Sequence, residues 1–465
     1  MSTATASPAA AESRAVDVYR AVWRWHFYAG LLVLPFMILL AVTGGLYLFR
    51  DEIDGFWHRD LKRVEVPAGA TELPASRLVE AALAAHPGTA AKIMPPPTPT
   101  ASAEVTVKAA TGERLAVYVD PYDARVLGAL PDRGTLMWVV RRLHSLAEFG
   151  PIANGVIEIV GGWAILLVGT GVYLWWPRRQ TGGVVTIRGP VKKRVFWRDL
   201  HAVTGAFAGL LIAFLAITGM PWSVFWGSYA NEWANGTNFG YPSGVRVNVP
   251  MSDEHLAHVA GETSWSLEQA QMPASAAPVG ASPSIGLDCA VATFDGLGLT
   301  RGYVVSLPTG PTGVYSGSVY PDDLTKQRVI HLDQYSGKPL IDMSYADYGP
   351  LGKGLEWGIN VHMGQEWGLA NQLLMLAVCL AIVAMSVSAG VMWWKRRPKG
   401  SLGVPPAPAD RTAMRGVLLI MALVGILYPL VGASLVVMVL LDLAVSRLRG
   451  GGRRPRGEAA GTAGA

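Results

Sequence analysis

Four apolar runs of bilayer length decide most of what this chain can become. They lie at about 27–49, 153–176, 203–226 and 370–394. A helix needs roughly 20 apolar residues to cross a hydrocarbon core, and only helices and closed barrels cross one. Charged residues make up 16% of the chain, against about a quarter in soluble domains. A fifth run, from Gly416 to Val445, is too long for one ordinary span and is interrupted by Pro429 and Gly432. It predicts spans at 413–429 and 431–446, a tight hairpin turning at Tyr428-Pro429.

The expected fold is a membrane α-helical bundle of about six spans, built by internal duplication, with two extracytoplasmic α+β domains. The spans with their flanks are 22–49, 141–177, 199–226, 361–395 and the hairpin 412–447. Between them lie two large segments, 50–140 and 227–360, and two short connections, 178–198 and 396–411, with tails at 1–21 and 448–465. Basic residues crowd the ends "WWPRRQ", "VKKR", "WWKRRPK" and "RLRGGGRRPR". By the positive-inside rule these ends and both termini are cytoplasmic and the large segments are outside. The net charge of +5 then belongs to membrane flanks, and no nucleic-acid partner is expected. The first 13 residues lack a basic start and cleavage site, so the first span reads as an uncleaved anchor.

Both large segments carry strand patterns. "AEVTVKA" and "LAVYVDPYDARVLGAL" follow the amphipathic helix "PASRLVEAALAAHPG" in the first; "TRGYVVSLP", "GVYSGSVYP" and "RVIHLDQYSGKPLID" mark the second. The phrases "VYVDPYDARVL" and "IHLDQYSGKPL" predict matching hairpins. Cys289 and Cys379 fall in an outer segment and a span, so no disulfide is expected. Without a Cys-x-x-Cys-His run, covalent c-type haem is excluded, and iron–sulfur and thiolate zinc sites lack ligands.

The spans repeat in register. From His26, Gly30 stands at +4, Thr43 at +17 and Gly44 at +18; from His201, Gly205, Thr218 and Gly219 keep the same offsets. From His144, Glu148 is at +4, Gly150 at +6 and Trp175-Trp176 at +31 and +32; from His362, Glu366, Gly368 and Trp393-Trp394 repeat them. His26 and His201 open helices running outward, near the inner face. His144 and His362 precede helices running inward, near the outer face. Facing imidazole pairs at each end of a bundle are an architecture for b-type haem, whose iron two imidazoles render six-coordinate. Gly30 and Gly205 would leave room for a flat macrocycle, and Arg24, Arg141, Arg142 and Arg198 are candidate partners for haem propionates. The competing reading makes these histidines interfacial residues among ordinary Trp and Arg anchors, although ionisable residues within spans generally mark function.

Other candidates are less distinctive. His255 and His258 in "DEHLAH" would share a helix face, as a metal site or a solvated helix start. Glu158 near the outer end of the second span could handle protons or sit at the interface, His331 reads as a structural strand residue, and His58 and His86 stand alone in loops.

The stretches "WRWHFYAG…AVTGGLY", "RLHSL", "WRDLHAVTGAFAGL…AITG" and "VYVDPYDARVLG" resemble the PepSY-associated transmembrane family of bacterial iron-regulated inner-membrane proteins, over nearly the whole chain. The resemblance implies PepSY-like outer domains facing the periplasm and a membrane reductase of ferric siderophores with about two haems b. Its ligands here would be His26, His144, His201 and His362. The inner connections are too short for a nucleotide domain, so a membrane quinol or a separate reductase would donate electrons. Two other readings stand beside it: a non-enzymatic PepSY module that regulates a peptidase or acts as a sensor, and a siderophore permease.

Overall fold

The computed structural model describes residues 8–178, 182–235, 251–255, 271–276, 283–406, 408–409 and 411–450. The elements named below are α1 (Pro8–Tyr47), α2 (Arg50–Trp57), α3 (Arg59–Lys62), α4 (Ala75–Ala85), α5 (Leu136–His144), α6 (Pro151–Trp175), α7 (Arg194–Gly219), α8 (Trp226–Asn235), α9 (Leu287–Gly296), α10 (Pro350–His362), α11 (Leu369–Arg396), α12 (Arg411–Leu427) and α13 (Pro429–Gly450).

Among the described residues, four helices are long and apolar enough to cross a membrane: Val16–Tyr47, Pro151–Trp175, Arg194–Trp222 and Leu369–Arg396. α1 and α7 each pack on both α6 and α11, which places α1 and α7 on one diagonal of a four-helix bundle. Large apolar side chains that face lipid stay exposed on the protein itself, such as Leu210 at 82% and Leu380 at 62%. The fifth and sixth expected spans are a shorter hairpin with apolar stretches Arg415–Leu427 and Pro429–Leu441, about 20 Å each at 1.5 Å per residue. Its turn lies at Tyr428 as the Pro-Gly interruption predicts. Tyr428 donates to Val424 O and Gly432 to Tyr428 O. A methyl group on Gly425 would lie 2.6 Å from the Gly432 Cα, so this turn demands glycine. The hairpin packs α12 on α1 and α13 on α6, and Trp163 Nε1 donates to Ser434 Oγ at 2.8 Å.

Among the described residues ten strands follow in chain order: β1 (Gly88–Met94), β2 (Ala103–Ala109), β3 (Arg114–Val119), β4 (Val126–Pro131), β5 (Met251–His255), β6 (Gln271–Pro273), β7 (Val304–Ser306), β8 (Val314–Val319), β9 (Arg328–Asp333) and β10 (Pro339–Ser344). The two outer segments, read from sequence as two domains, share one eight-stranded sheet of order β10-β9-β8-β7-β1-β2-β3-β4. The junction is antiparallel, with Lys92 opposite Ser306 and Ile93 opposite Val305. Joining the halves satisfies backbone groups that two separate sheets would leave on open edges. Alternate residues of the strands, Ile93, Val105, Val117, Val305 and Ile330 among them, bury one face under α4 and α9. These helices are tied together by Ser76, whose N–H and Oγ donate to Asp288 at 2.8 and 2.6 Å.

The matching hairpins are real turns of one design. Asp120 Oδ1 accepts from Tyr122 N, and Asp333 Oδ1 from Tyr335 N, each at 3.0 Å. Both tyrosine hydroxyls reach back to a proline carbonyl at 2.7 Å, Tyr122 to Pro99 and Tyr335 to Pro311. Aspartate favours such turns because its carboxylate mimics the next backbone carbonyl. His255 ends β5, opposite Gln271, so the helix expected there is a strand; its β-bridge wins over the local helical spacing. His258 lies outside the described residues. Cys289 and Cys379 are both free.

His331 is the buried strand residue expected: Ser316 Oγ lies 2.8 Å from its Nδ1. Burial pushes its pKa down from 6.5 to about 4. The folded state therefore prefers neutral imidazole. Stability is fully present above the unfolded value of 6.5 and is lost as pH falls toward about 4, by up to about 3 kcal/mol. Unfolding of the wild type compared with His331→Asn should show a stability difference that shrinks below pH 6.5. A difference independent of pH would contradict this.

Candidate functional site

His26 on α1 and His201 on α7 meet across the diagonal of the bundle. Their ring centres are 6.4 Å apart and the planes cross at 87°. A metal bound by one nitrogen of each ring at about 2.0–2.1 Å requires ring centres on the order of 6 Å apart. At the other end, His144 closes α5 and His362 closes α10. α5 packs on α1 and α10 on α7, the two helices on the bundle diagonal. Along α1 the level of His26 is 17 residues from that of Thr43, which touches His144, a rise of about 25 Å.

Every one of the four rings is held through Nδ1. His26 Nδ1 lies 2.8 Å from Thr170 Oγ1, His144 Nδ1 2.9 Å from Thr43 Oγ1 and His362 Nδ1 2.9 Å from Thr218 Oγ1. His201 Nδ1 lies 3.0 Å from Met385 O and 3.4 Å from Ser388 Oγ. The Nε2 atoms are thereby left for something else. All four imidazoles are only half-buried despite their place inside the bundle.

The repeated Thr-Gly pairs now acquire separate tasks. The threonine holds the histidine, and the glycine makes room for its ring. A methyl on Gly44 would stand 3.3 Å from His144 Cε1, and one on Gly219 3.6 Å from His362 Cε1. Gly30 differs: a methyl there would meet only Leu167 Cδ2, at 3.9 Å. Protein packing does not demand glycine at that position, although glycine inside a helix costs about 1 kcal/mol against alanine.

Sequence reading registered Thr43 and Thr218 only as markers of the repeat and missed Thr170 and Ser388. Their signal was available: each precedes a Trp-Trp pair by the same spacing, at 175–176 and 393–394. It also missed Asp54 and His58, which seat the helix carrying His144. Asp54 Oδ1 accepts from Met137 N at 3.0 Å and His58 Nε2 from Leu136 N at 3.1 Å, capping α5. Their spacing of four on one helix face was the clue.

The arginines have protein partners. Arg198 pairs with buried Asp199 at 2.6 Å, which also holds Arg188 at 2.8 Å. Arg142 pairs with Glu148 at 2.5 Å. Arg24 donates to Pro405 O at 2.7 Å, and Arg141 stacks over Trp138, 4.7 Å from the ring centre. Glu158 is 1% exposed. Its Oε2 accepts from Phe225 N at 3.0 Å and Trp226 N at 3.1 Å, so it caps the start of α8 rather than standing at an interface. No group of three or more His, Cys, Asp or Glu residues arranged to hold a metal ion occurs among the described residues.

No curated protein matches the chain. The family model described as the PepSY-associated TM region matches residues 23–396. That range takes in all four histidines, three of the four long helices with most of the first, and the shared sheet, and this membrane protein belongs to the PepSY-associated TM region family.

Proposed function

We propose that the chain is a di-haem b oxidoreductase of the bacterial inner membrane that passes electrons to a periplasmic acceptor, with a ferric siderophore as that acceptor. The observation that carries this reading is the pairing of four Nδ1-anchored imidazoles, with His26 and His201 at 6.4 Å. The residues present fit haem at the His26 end, where the two ring centres stand 6.4 Å apart and Gly30 is open beside His26; at the other end His144 and His362 offer two further imidazoles held through Nδ1. His26 and His201 would hold one haem, His144 and His362 the other. Haem b held by two imidazoles supplies one-electron redox chemistry without an open iron position.

The chain's own work is to bind, orient and insulate. The four spans exclude water between the two ends, and the threonines hold the rings. Arg24 and Arg141, close in sequence to His26 and His144, remain our choice for propionate partners. Placing the basic flanks inside puts the His26 end at the cytoplasm and the sheet in the periplasm. Electrons would enter from a quinol or a separate reductase. One electron converts the chelated Fe(III) to Fe(II), which oxygen donors hold less firmly, and iron is released for uptake.

Vesicles supplied with NADH and cell extract on the cytoplasmic face test the direction. A reduced b-type absorption band should form, and ferric siderophore on the opposite face should bleach it. Bleaching by other oxidants but never by ferric siderophore would remove the acceptor assignment. Gly30→Ala tests the placement. The variant should fold at least as stably as wild type and retain several-fold less haem at the His26 end. Unchanged haem content would show that the macrocycle does not lie against this face of α1.

A further inference from the structure

We propose that Thr43, Thr170 and Thr218, with the Met385 carbonyl for the fourth ring, are positioning groups that fix each histidine as its Nδ1–H tautomer and so dedicate Nε2 to a ligand shared between the two halves. The inference rests on the haem reading for the identity of that ligand, but the tautomer claim stands on hydrogen-bond geometry alone.

A threonine hydroxyl has one proton to donate. Thr43 Oγ1 donates it to Leu39 O at 2.6 Å, Thr170 Oγ1 to Leu166 O at 2.7 Å and Thr218 Oγ1 to Phe214 O at 2.8 Å. Such bonds to the carbonyl four residues back are habitual for threonine in helices. With its proton spent, each hydroxyl can only accept from the imidazole, so Nδ1 carries the hydrogen. For His201 the partner is a carbonyl, which can only accept, and Ser388 Oγ spends its own proton on the same Met385 oxygen at 2.8 Å. Four rings thus reach one tautomer by two routes, with the Nε2 lone pair free. A ring nitrogen's hydrogen-bond partner also sets ring rotation and ligand basicity.

The anchors have a second regularity. Each lies in the same half of the chain as its histidine: α1 and α6 hold His144 and His26, while α7 and α11 hold His362 and His201. Each imidazole pair, by contrast, joins the two halves. A ligand at either end is therefore gripped by two imidazoles that are oriented independently of each other, and it acts as a clasp between the halves.

The test compares Thr218→Val and Thr170→Val with Thr218→Ser and Thr170→Ser in the full-length protein. Valine keeps the shape and removes the acceptor; serine restores it. The valine variants should hold haem at their end 10–100-fold more weakly. Their reduced form should bind carbon monoxide where wild type resists it, and the serine variants should behave as wild type. Valine variants with unchanged affinity, midpoint potential and carbon monoxide resistance would overturn the inference while leaving the proposed function intact. Should wild type contain no haem, the proposed function fails, and ¹⁵N-histidine spectra still decide the tautomers. Protonated Nδ1 at all four positions supports the inference; protonated Nε2 at any of them overturns it. The same spectra of wild type decide the matter if a valine variant does not fold.

Discussion

His362→Ala is expected to halve the haem content of the purified protein, with the other haem retained. Four imidazoles form two pairs at opposite ends of the bundle, about 25 Å apart along α1 by helix rise. Each substitution removes one of the two bonds to a single iron and leaves the second pair untouched. His144→Ala should reproduce the His362→Ala spectrum, and His26→Ala should match His201→Ala. The double variant His26→Ala/His144→Ala, one substitution in each pair, should be nearly colourless. Pyridine haemochrome titration reads all five proteins. Full haem content in the four single variants would refute the ligand assignment, and loss of both haems from any one of them would refute the independence of the two ends. The outer variant His144→Ala should also leave vesicles reducible from the cytoplasmic face but insensitive to ferric siderophore.

Phe294→Ala should destabilise the shared sheet by about 3–5 kcal/mol. Phe294 is fully buried on α9. It lies against Gly317 of β8, where a methyl group would come within 2.7 Å of the ring. Glycine weakens a strand interior, and here its absent side chain is the space the phenyl ring occupies. The ring also meets Tyr303 in a tilted contact with centres 6.0 Å apart, and the Tyr303 hydroxyl donates to Asp295 at 2.8 Å. Truncation therefore opens a cavity at the seam between helix layer and sheet. Denaturant unfolding and protease sensitivity of the sheet should report the loss, and Phe294→Leu should lose much less. A change below about 1 kcal/mol for the alanine variant would show that the seam collapses around the gap.

The membrane part of this architecture was legible because its constraints are local. An apolar run of about twenty residues acts within one helix, and a proline in mid-run within about one turn. The pairing of His26 with His201 could be anticipated from register alone, and the structure brings those rings together. The repeat marked the threonine positions but not their tasks, because each hydroxyl lies 101 or 144 residues along the chain from the histidine it holds. The sheet junction was hidden for the same reason. Lys92 and Ile93 look like any half-buried strand, and nothing near them announces that Ser306 and Val305 are their partners. For Glu158 the sequence left two readings open, a proton-handling group or an interfacial carboxylate; the structure buries it, with Oε2 accepting from two backbone N–H groups at the start of α8.

The most direct measurement is the haem content of the purified, full-length wild-type protein. Two haems b per chain, seen as a pyridine haemochrome and as a b-type band on reduction, are what four Nδ1-anchored imidazoles in two pairs predict. A colourless protein, or haem whose amount does not respond to substitution of His26, His144, His201 or His362, would contradict the account.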